Sequence, residues 1–332
     1  MANWWKIMAG RDGVLFDEFI SKKIVSIAGE GLGDVRGKTK EQLLLAGQGV
    51  YPDDKPKQIQ TWINQLWRFI YEIQPGDRVV VFNKSTRQYS IGTISGAYTY
   101  QADMLGPGYS HHFPVVWETN RVSRDSLPES TKNTLGAILA IFQVNNCATD
   151  LQAALGGPGT PLTAPPNPVT TPDPAEEENW FENLQGIIQE RVADKIVKLG
   201  PWQVQDLVAG LLQAMGYRTR TSPPGPDGGV DVLAHPDEFG FGEPLIKVQV
   251  KHRRESAGAP QIRELIGAEP LKAKALFVST GGFTAAARTE ARTKNVVILD
   301  LDDLVEKIGI YYDRLPSQTQ AILPMQRLYL PL

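Results

Sequence analysis

Cysteine is nearly absent: Cys147 stands alone in 332 residues. That excludes an internal disulfide framework and a cysteine-built zinc site, and it suits a reducing compartment. Excess charge is also lacking. The formal net charge is −3, so there is no global basic footprint for a polyanionic partner, and any such contact would rest on local patches. Residues 1–145 carry 16 Lys/Arg against 14 Asp/Glu and residues 180–332 carry 18 against 18. The acidic surplus lies between them, at Asp150, Asp173, Glu176, Glu177 and Glu178. Long apolar runs are missing as well. The longest, around Leu135 to Val144, is far short of the ~20 residues needed to span a bilayer. Lys6, Arg11 and Asp12 interrupt the opening stretch too early for a signal-peptide apolar core. The expectation is a soluble, cytoplasmic protein. No Gly-x-x-x-x-Gly-Lys-Ser/Thr phosphate loop occurs, which argues against a built-in translocating ATPase.

Hydrophobic residues at 42% and charged residues at 21% are ordinary for a globular chain, and the length allows two cores. The boundary is compositional. Gly156-Gly157-Pro158-Gly159-Thr160-Pro161 is followed by Pro165, Pro166, Pro168, Pro172 and Pro174. Such a segment cannot build a core and reads as an extended spacer. The expected division is a domain over 1–148, a proline-rich linker over 149–178, a second domain over 179–315 and an extension over 316–332.

The first domain reads as β-rich with one or two helices. Trp4 to Ala9, Arg78 to Phe82, Tyr89 to Tyr98 and His112 to Trp117 are strand candidates. Ile59, Ile63, Leu66 and Ile70 place a helix over Lys57 to Tyr71. A small barrel is the natural closure for such short strands. In the second domain the rhythm changes. Helices are expected over 179–199, over Val204 to Met215 with Gly216 as its stop, from Gln261, over Thr284 to Thr293 and over Asp302 to Ile308. Strands are expected over Tyr217 to Thr221, 229–234, Pro244 to Lys251, Lys274 to Ser279 and Val296 to Asp300. This alternation indicates an α/β domain with a mixed central sheet flanked by helices.

One segment carries chemistry. Asp231 lies where the turn Gly225-Pro226-Asp227-Gly228-Gly229 enters a strand, and Gln249 and Lys251 sit two apart on the next one. Two apart on a strand means one face. If the strands pair, a carboxylate, an amide and an ammonium converge. Phosphodiester hydrolysis uses such a set: oxygen ligands hold a divalent cation, and a lysine orients water or neutralises the developing oxyanion. Hard oxygen donors favour magnesium over zinc. The bland alternative is a common Asp-Gly-Gly turn beside surface decoration.

Order and spacing across residues 203–308 resemble the Mrr-type restriction endonuclease catalytic domain, a branch of the PD-(D/E)XK nucleases. Leu207 to Tyr217 is similar to its first helix and Met-Gly-Tyr ending. Asp227-Gly228-Gly229-Val230-Asp231 resembles its metal turn, Gln249-Val250-Lys251 its Gln-x-Lys half-motif, and Phe277 to Thr284 its later strand and helix entry. The resemblance implies Asp231 as main metal ligand, Gln249 and the main-chain carbonyl of Val250 as further ligands, and Lys251 as catalytic lysine, with Mg2+ or Mn2+ as cofactor. Asp227 is implied as an outer-shell carboxylate or else a turn residue. The family often has a Glu on the first helix where Gln205 stands here, which puts a second metal in doubt. His252-Arg253-Arg254 reads either as phosphate contact or as a solvated loop.

Aromatic residues crowd the first half. Trp62 and Trp67 read as core, whereas Trp5, Tyr98, Tyr100 and Trp117 fall near strand ends, where they could stack a base swung out of the duplex. His111 and His112 read mainly as exposed loop residues. Gly92 to Tyr100 and His111 to Trp117 resemble PUA-like modules, including EVE-type readers of modified bases. Together these resemblances imply a type IV-like, modification-dependent restriction endonuclease acting on modified, methylated double-stranded DNA as a homodimer or higher homo-oligomer. The alternatives are an inactive DNA-binding sensor, or a structure-specific nuclease on branched DNA or RNA.

Overall fold

The structure is a computed structural model and describes residues 2–10, 13–102, 104–106, 108–137, 139–156, 180–222, 230–237, 242–267 and 273–327. The chain divides into two units, Met1–Ile188 and Gln189–Leu332.

The first unit contains β1 (Trp4–Ile7), α1 (Phe16–Lys22), β2 (Ile24–Ile27), α2 (Lys40–Val50), α3 (Pro56–Trp67), β3 (Arg78–Asn83), β4 (Gln88–Ile94), β5 (Thr99–Tyr100), β6 (His111–Ser123), α4 (Glu129–Leu135), β7 (Ile141–Gln143) and α5 (Ala148–Ala154). Helix α3 passes into one wider turn over Arg68–Glu72. The hydrogen-bonded strand order is β2-β6-β4-β3-β1-β7, with β5 on β6. Strand β6 is long enough to pair β2 and β5 early and β4 later. Among the described residues no pairing joins β2 to β7, so the expected closed barrel is instead an open sheet.

That sheet is covered on both faces, which its sequence reflects. In β1, Trp5 and Ile7 face a core shared with α1, α2 and α3, while Trp4 faces a second core with Leu127, Leu135, Cys147 and Leu151. In β3, Val79 and Val81 enter the first core and Val80 the second. A continuous apolar run is what a strand buried on both faces needs. The linker expected from 149 starts later: α5 runs to Ala154 and Leu151 is fully buried. The proline-rich stretch itself falls outside the described residues.

The second unit begins within α6 (Trp180–Val197) and continues with α7 (Pro201–Ala214), β8 (Arg218–Thr221), β9 (Val232–His235), β10 (Ile246–Lys251), α8 (Ala259–Gly267), β11 (Lys274–Ser279), α9 (Ala285–Lys294), β12 (Val297–Leu299), α10 (Leu301–Tyr311) and α11 (Ser317–Ile322). The sheet order is β12-β11-β10-β9-β8. Strands β10, β11 and β12 are parallel, β9 is antiparallel to β10, and β8 is antiparallel to β9. This is the mixed sheet expected. One face packs on α7 and α10 through Val232, Val248 and Val278; the other packs on α8 and α9 through Phe277. The stretch set apart from 316 onward belongs to this core as far as it is described. Leu323 is buried, and Thr319 lies so close to Gly210 of α7 that a Cβ there would sit 2.1 Å from its hydroxyl. Among the described residues no helix is long and apolar enough to cross a membrane.

Candidate active site

Asp231 sits one residue before β9 and is tied to its surroundings from both ends. Its N–H donates to the Val248 carbonyl at 2.9 Å, and its carbonyl accepts from the Ser222 N–H at 2.9 Å. One carboxylate oxygen accepts the Val250 N–H at 2.6 Å. Val232 pairs with Val248, so Asp231 faces away from that apolar side, toward the side of Gln249. In an extended strand the N–H and C=O of one residue leave by the same edge. The Val250 carbonyl therefore projects from the edge where Asp231 lies.

Gln249 is fully buried, and among the described residues neither atom of its amide has a hydrogen-bond partner. Its parallel partner is Phe277, and that of Lys251 is Ser279. All four side chains share one face. Ser279 is also fully buried with an unpartnered hydroxyl. Buried polar groups are nearly always hydrogen-bonded, and exceptions point to a missing water or ion. These unpartnered polar atoms lie at the carboxyl ends of β10 and β11, beside a carboxylate and a half-buried lysine. The oxygens that a cation could use here, those of Asp231, Gln249 and the Val250 carbonyl, would suit a hard ion such as Mg2+ or Mn2+ better than zinc.

Gln205 reaches the site from α7, but its position shows a role unlike that of the glutamate it replaces in the resemblance. Its Nε2 donates to the Asp231 carbonyl at 2.8 Å and to the Ser222 carbonyl at 3.4 Å. It clamps the end of β8 to the start of β9. An ionised carboxylate cannot donate. Asp227 and the glycines around it lie outside the described residues.

The three basic residues after Lys251 separate. His252 is held at both ring nitrogens, Nε2 on the Leu199 carbonyl at 2.9 Å and Nδ1 on the Thr280 hydroxyl at 3.0 Å. It pins the loop and is not offered to a phosphate, which corrects its reading as a DNA contact. Arg253 is half-buried with an unpartnered Nε, and Arg254 is exposed. Their loop is stitched to the turn after β11: the Thr280 N–H donates to the Lys251 carbonyl and the Ala257 N–H to the Gly282 carbonyl. Gly281 permits this approach, since a Cβ there would meet the Glu255 carbonyl at 2.5 Å.

The aromatic residues of the first unit do not gather as expected. Trp5 is 1% exposed and its indole N–H donates to Asp77 at 2.9 Å. It is core, not part of a base pocket. Trp117 is half-buried with its N–H on the Phe19 carbonyl. Tyr98 and Tyr100 both lie against His111. His111 and His112 are strand residues, fully buried, not loop residues. Burial pushes His111 down to about 4 and holds the Tyr98 hydroxyl well above its usual range. Both are therefore neutral, and the Tyr98 hydroxyl and His111 Nδ1 share a hydrogen bond of 2.7 Å. His111 Nε2 packs over Gly29, where a Cβ would lie 2.3 Å away.

Trp62, expected in the core, is 41% exposed. With Tyr51 and Tyr109 it lines a cavity of about 480 Å³. Only the pairing of β2 and the packing of α3 bring these residues together, so no spacing in the sequence announces them.

Comparison with known proteins agrees with the geometry of the second unit. Residues 196–308 match the family model Mrr_cat, described as restriction endonuclease. The second unit thus carries an Mrr-type restriction endonuclease domain. Residues 5–140 match a domain of unknown function, DUF8426. No curated protein matches the chain. Among solved structures it is similar to the MspJI restriction endonuclease in complex with a 27-mer oligonucleotide, at 11% identity and a TM-score of 0.29, covering 91% of this chain and 74% of that one. It is also similar to the DNA modification-dependent restriction endonuclease AspBHI, at 14% identity and 0.32, covering 90% and 77%. At these scores the likeness transfers neither fold nor activity.

Proposed function

We propose that this protein is a divalent-metal-dependent endonuclease that recognises modified DNA through its first unit and cuts through its second. The observation that carries the nuclease reading is the unpartnered Gln249 amide. A fully buried side chain with no protein partner stands on the same face as Lys251 and next to the strand edge that holds Asp231, inside a domain of the restriction endonuclease family.

In this reading the Asp231 carboxylate, Gln249 Oε1 and the Val250 carbonyl hold Mg2+ or Mn2+, which when bound activates water and offsets charge on the phosphate. Lys251 places its ammonium beside the attacking water and the phosphate oxygens, where negative charge grows in the transition state. The Val250 N–H and the Gln205 clamp fix the Asp231 carboxylate and backbone, so little reorganisation accompanies the reaction. Cutting both strands requires two such sites, hence a homodimer on DNA.

Support for target selection by the first unit is architectural: it has its own two cores and a ligand-sized aromatic cavity. The test is magnesium-dependent cleavage of matched plasmids, unmodified or carrying methylated or hydroxymethylated cytosine, with Lys251→Ala as control. Cutting of modified plasmid alone, abolished in the variant, is expected. Equal cutting of both would remove the modification dependence and leave the nuclease. Cutting that survives in Lys251→Ala would refute the site.

A further inference from the structure

We infer that the cavity between β2 and α3 is the reader pocket of the first unit, and that it holds one methylated nucleobase swung out of the duplex. The inference rests on the reading that modified DNA is the substrate.

The cavity has the volume of a ligand site, about 480 Å³. Its walls are apolar, from Ile59, Ile63 and Leu66 on α3 and Leu32 opposite. Tyr51 and Trp62 meet edge to face, with ring centroids 5.4 Å apart. Helix α3 exposes Trp62 where an amphipathic helix should be polar, and a flat ring stacked on the indole would remove that apolar area from water. Stacking on an aromatic side chain is how proteins hold an unpaired base.

The polar groups decide the ligand class. Ser26 lines the cavity, is 1% exposed, and among the described residues its hydroxyl has no hydrogen-bond partner. Gln65 gives its Oε1 to the Ala140 N–H at 2.8 Å; among the described residues its NH2 has no acceptor. Glu30 stands exposed on the rim, and the Tyr51 hydroxyl donates to its carbonyl, fixing the loop. An acceptor on the rim with donors inside suits the amide-like edge of a base with an exocyclic amine. The surrounding aliphatic wall suits an added methyl group.

Two lysines neighbour residues that line the cavity. Lys38 places its ammonium on the Leu32 carbonyl, and Lys55 lies one helical turn before Ile59. Two glycine-bearing loops frame the cavity, joined by the Gly29 N–H on the Gly108 carbonyl at 3.0 Å.

The experiment uses the full chain in EDTA, so that binding is read without cleavage. Anisotropy is measured on otherwise identical duplexes carrying cytosine, 5-methylcytosine or N6-methyladenine, and a neighbouring 2-aminopurine reports unstacking. The wild type is expected to prefer one methylated duplex and to raise the 2-aminopurine signal. Trp62→Ala should weaken that duplex roughly tenfold, the scale of one lost base stack. Ser26→Ala should lower the preference while leaving thermal stability equal or higher, because it removes a buried hydroxyl with no partner. A merely structural serine would move both downward. If the wild type discriminates and both variants keep the preference, the pocket assignment is overturned and the modified-DNA reading stands. If the wild type binds all three duplexes alike, both are overturned. Equal saturation by free methylated nucleoside, with no 2-aminopurine response, would overturn the DNA source.

Discussion

Replacing Gln205 by glutamate separates the role seen in the structure from the one implied by resemblance. If the position is a vacant metal-ligand seat, Gln205→Glu should bind Mg2+ more tightly and cut faster. The geometry says otherwise. Nε2 donates to two main-chain carbonyls, at 2.8 and 3.4 Å, from a side chain only 5% exposed. Glutamate would turn a carboxylate oxygen onto those carbonyls. The lost hydrogen bond costs about 1 kcal/mol. A buried carboxylate facing carbonyl oxygens also has its pKa raised, and a rise of about 1.5 units adds roughly 2 kcal/mol once the group ionises. Because the folded pKa lies above the unfolded value near ~4.3, the ionisation penalty is absent at low pH, grows as pH rises through that value, and is complete above the folded pKa. The expected loss is therefore about 1 kcal/mol near pH 4 and about 3 kcal/mol at pH 8. Calorimetric unfolding of the second unit's transition across that range reads it. Gln205→Met, which keeps volume without charge, should lose about 1–2 kcal/mol at every pH. A Gln205→Glu protein as stable as wild type at pH 8, or stabilised further by Mg2+ with faster cleavage, would refute the clamp.

Gln249→Leu removes an amide with no partner and keeps the volume, so stability should hold or rise by about 1 kcal/mol while magnesium-dependent cleavage is lost; calorimetry and plasmid cleavage together check the pair. Asp77→Ala deprives the N–H groups of Asn3, Gln74 and Trp5 of their acceptor. It should destabilise the first unit by about 3 kcal/mol, at the upper end for one charged acceptor, read by the shift in its melting transition. His111, held near 4 by burial, is depressed on folding, so the unfolded chain binds its proton first. Its contribution is complete above the unfolded value near ~6.5 and is lost as pH falls toward 4. The first unit should lose on the order of 2–3 kcal/mol across that window, and His111→Gln should flatten the slope.

Some of the molecule was legible because local chemistry decided it. Lys274–Ser279 reads as a buried strand from its residues and is one. Thr284 reads as a helix entry and does accept the Ala287 N–H. Gln249 and Lys251 share a face because strand alternation leaves no other outcome. Helices α1 and α2 and strand β2 were not expected. Their short segments carry weak periodicity, and β2 is defined by its partner β6, ninety residues away by the pairing of Ile24 with Pro114.

What the sequence determined by itself, then, is the strand and helix rhythm of the second unit, its mixed sheet, and the placing of Gln249 and Lys251 on one strand face, all of which follow from spacing within single elements or adjacent ones. What only the tertiary structure decided is which polar atoms are left without partners and which aromatic residues meet. Trp5 became core because Asp77, seventy-two positions on, accepts its N–H. Trp62 came to a cavity mouth because α3 packs with its other faces inward. Gln205 became a clamp because α7 crosses the β8–β9 junction. Burial and pairing between distant segments are sums over the whole fold, and no local window of residues contains them.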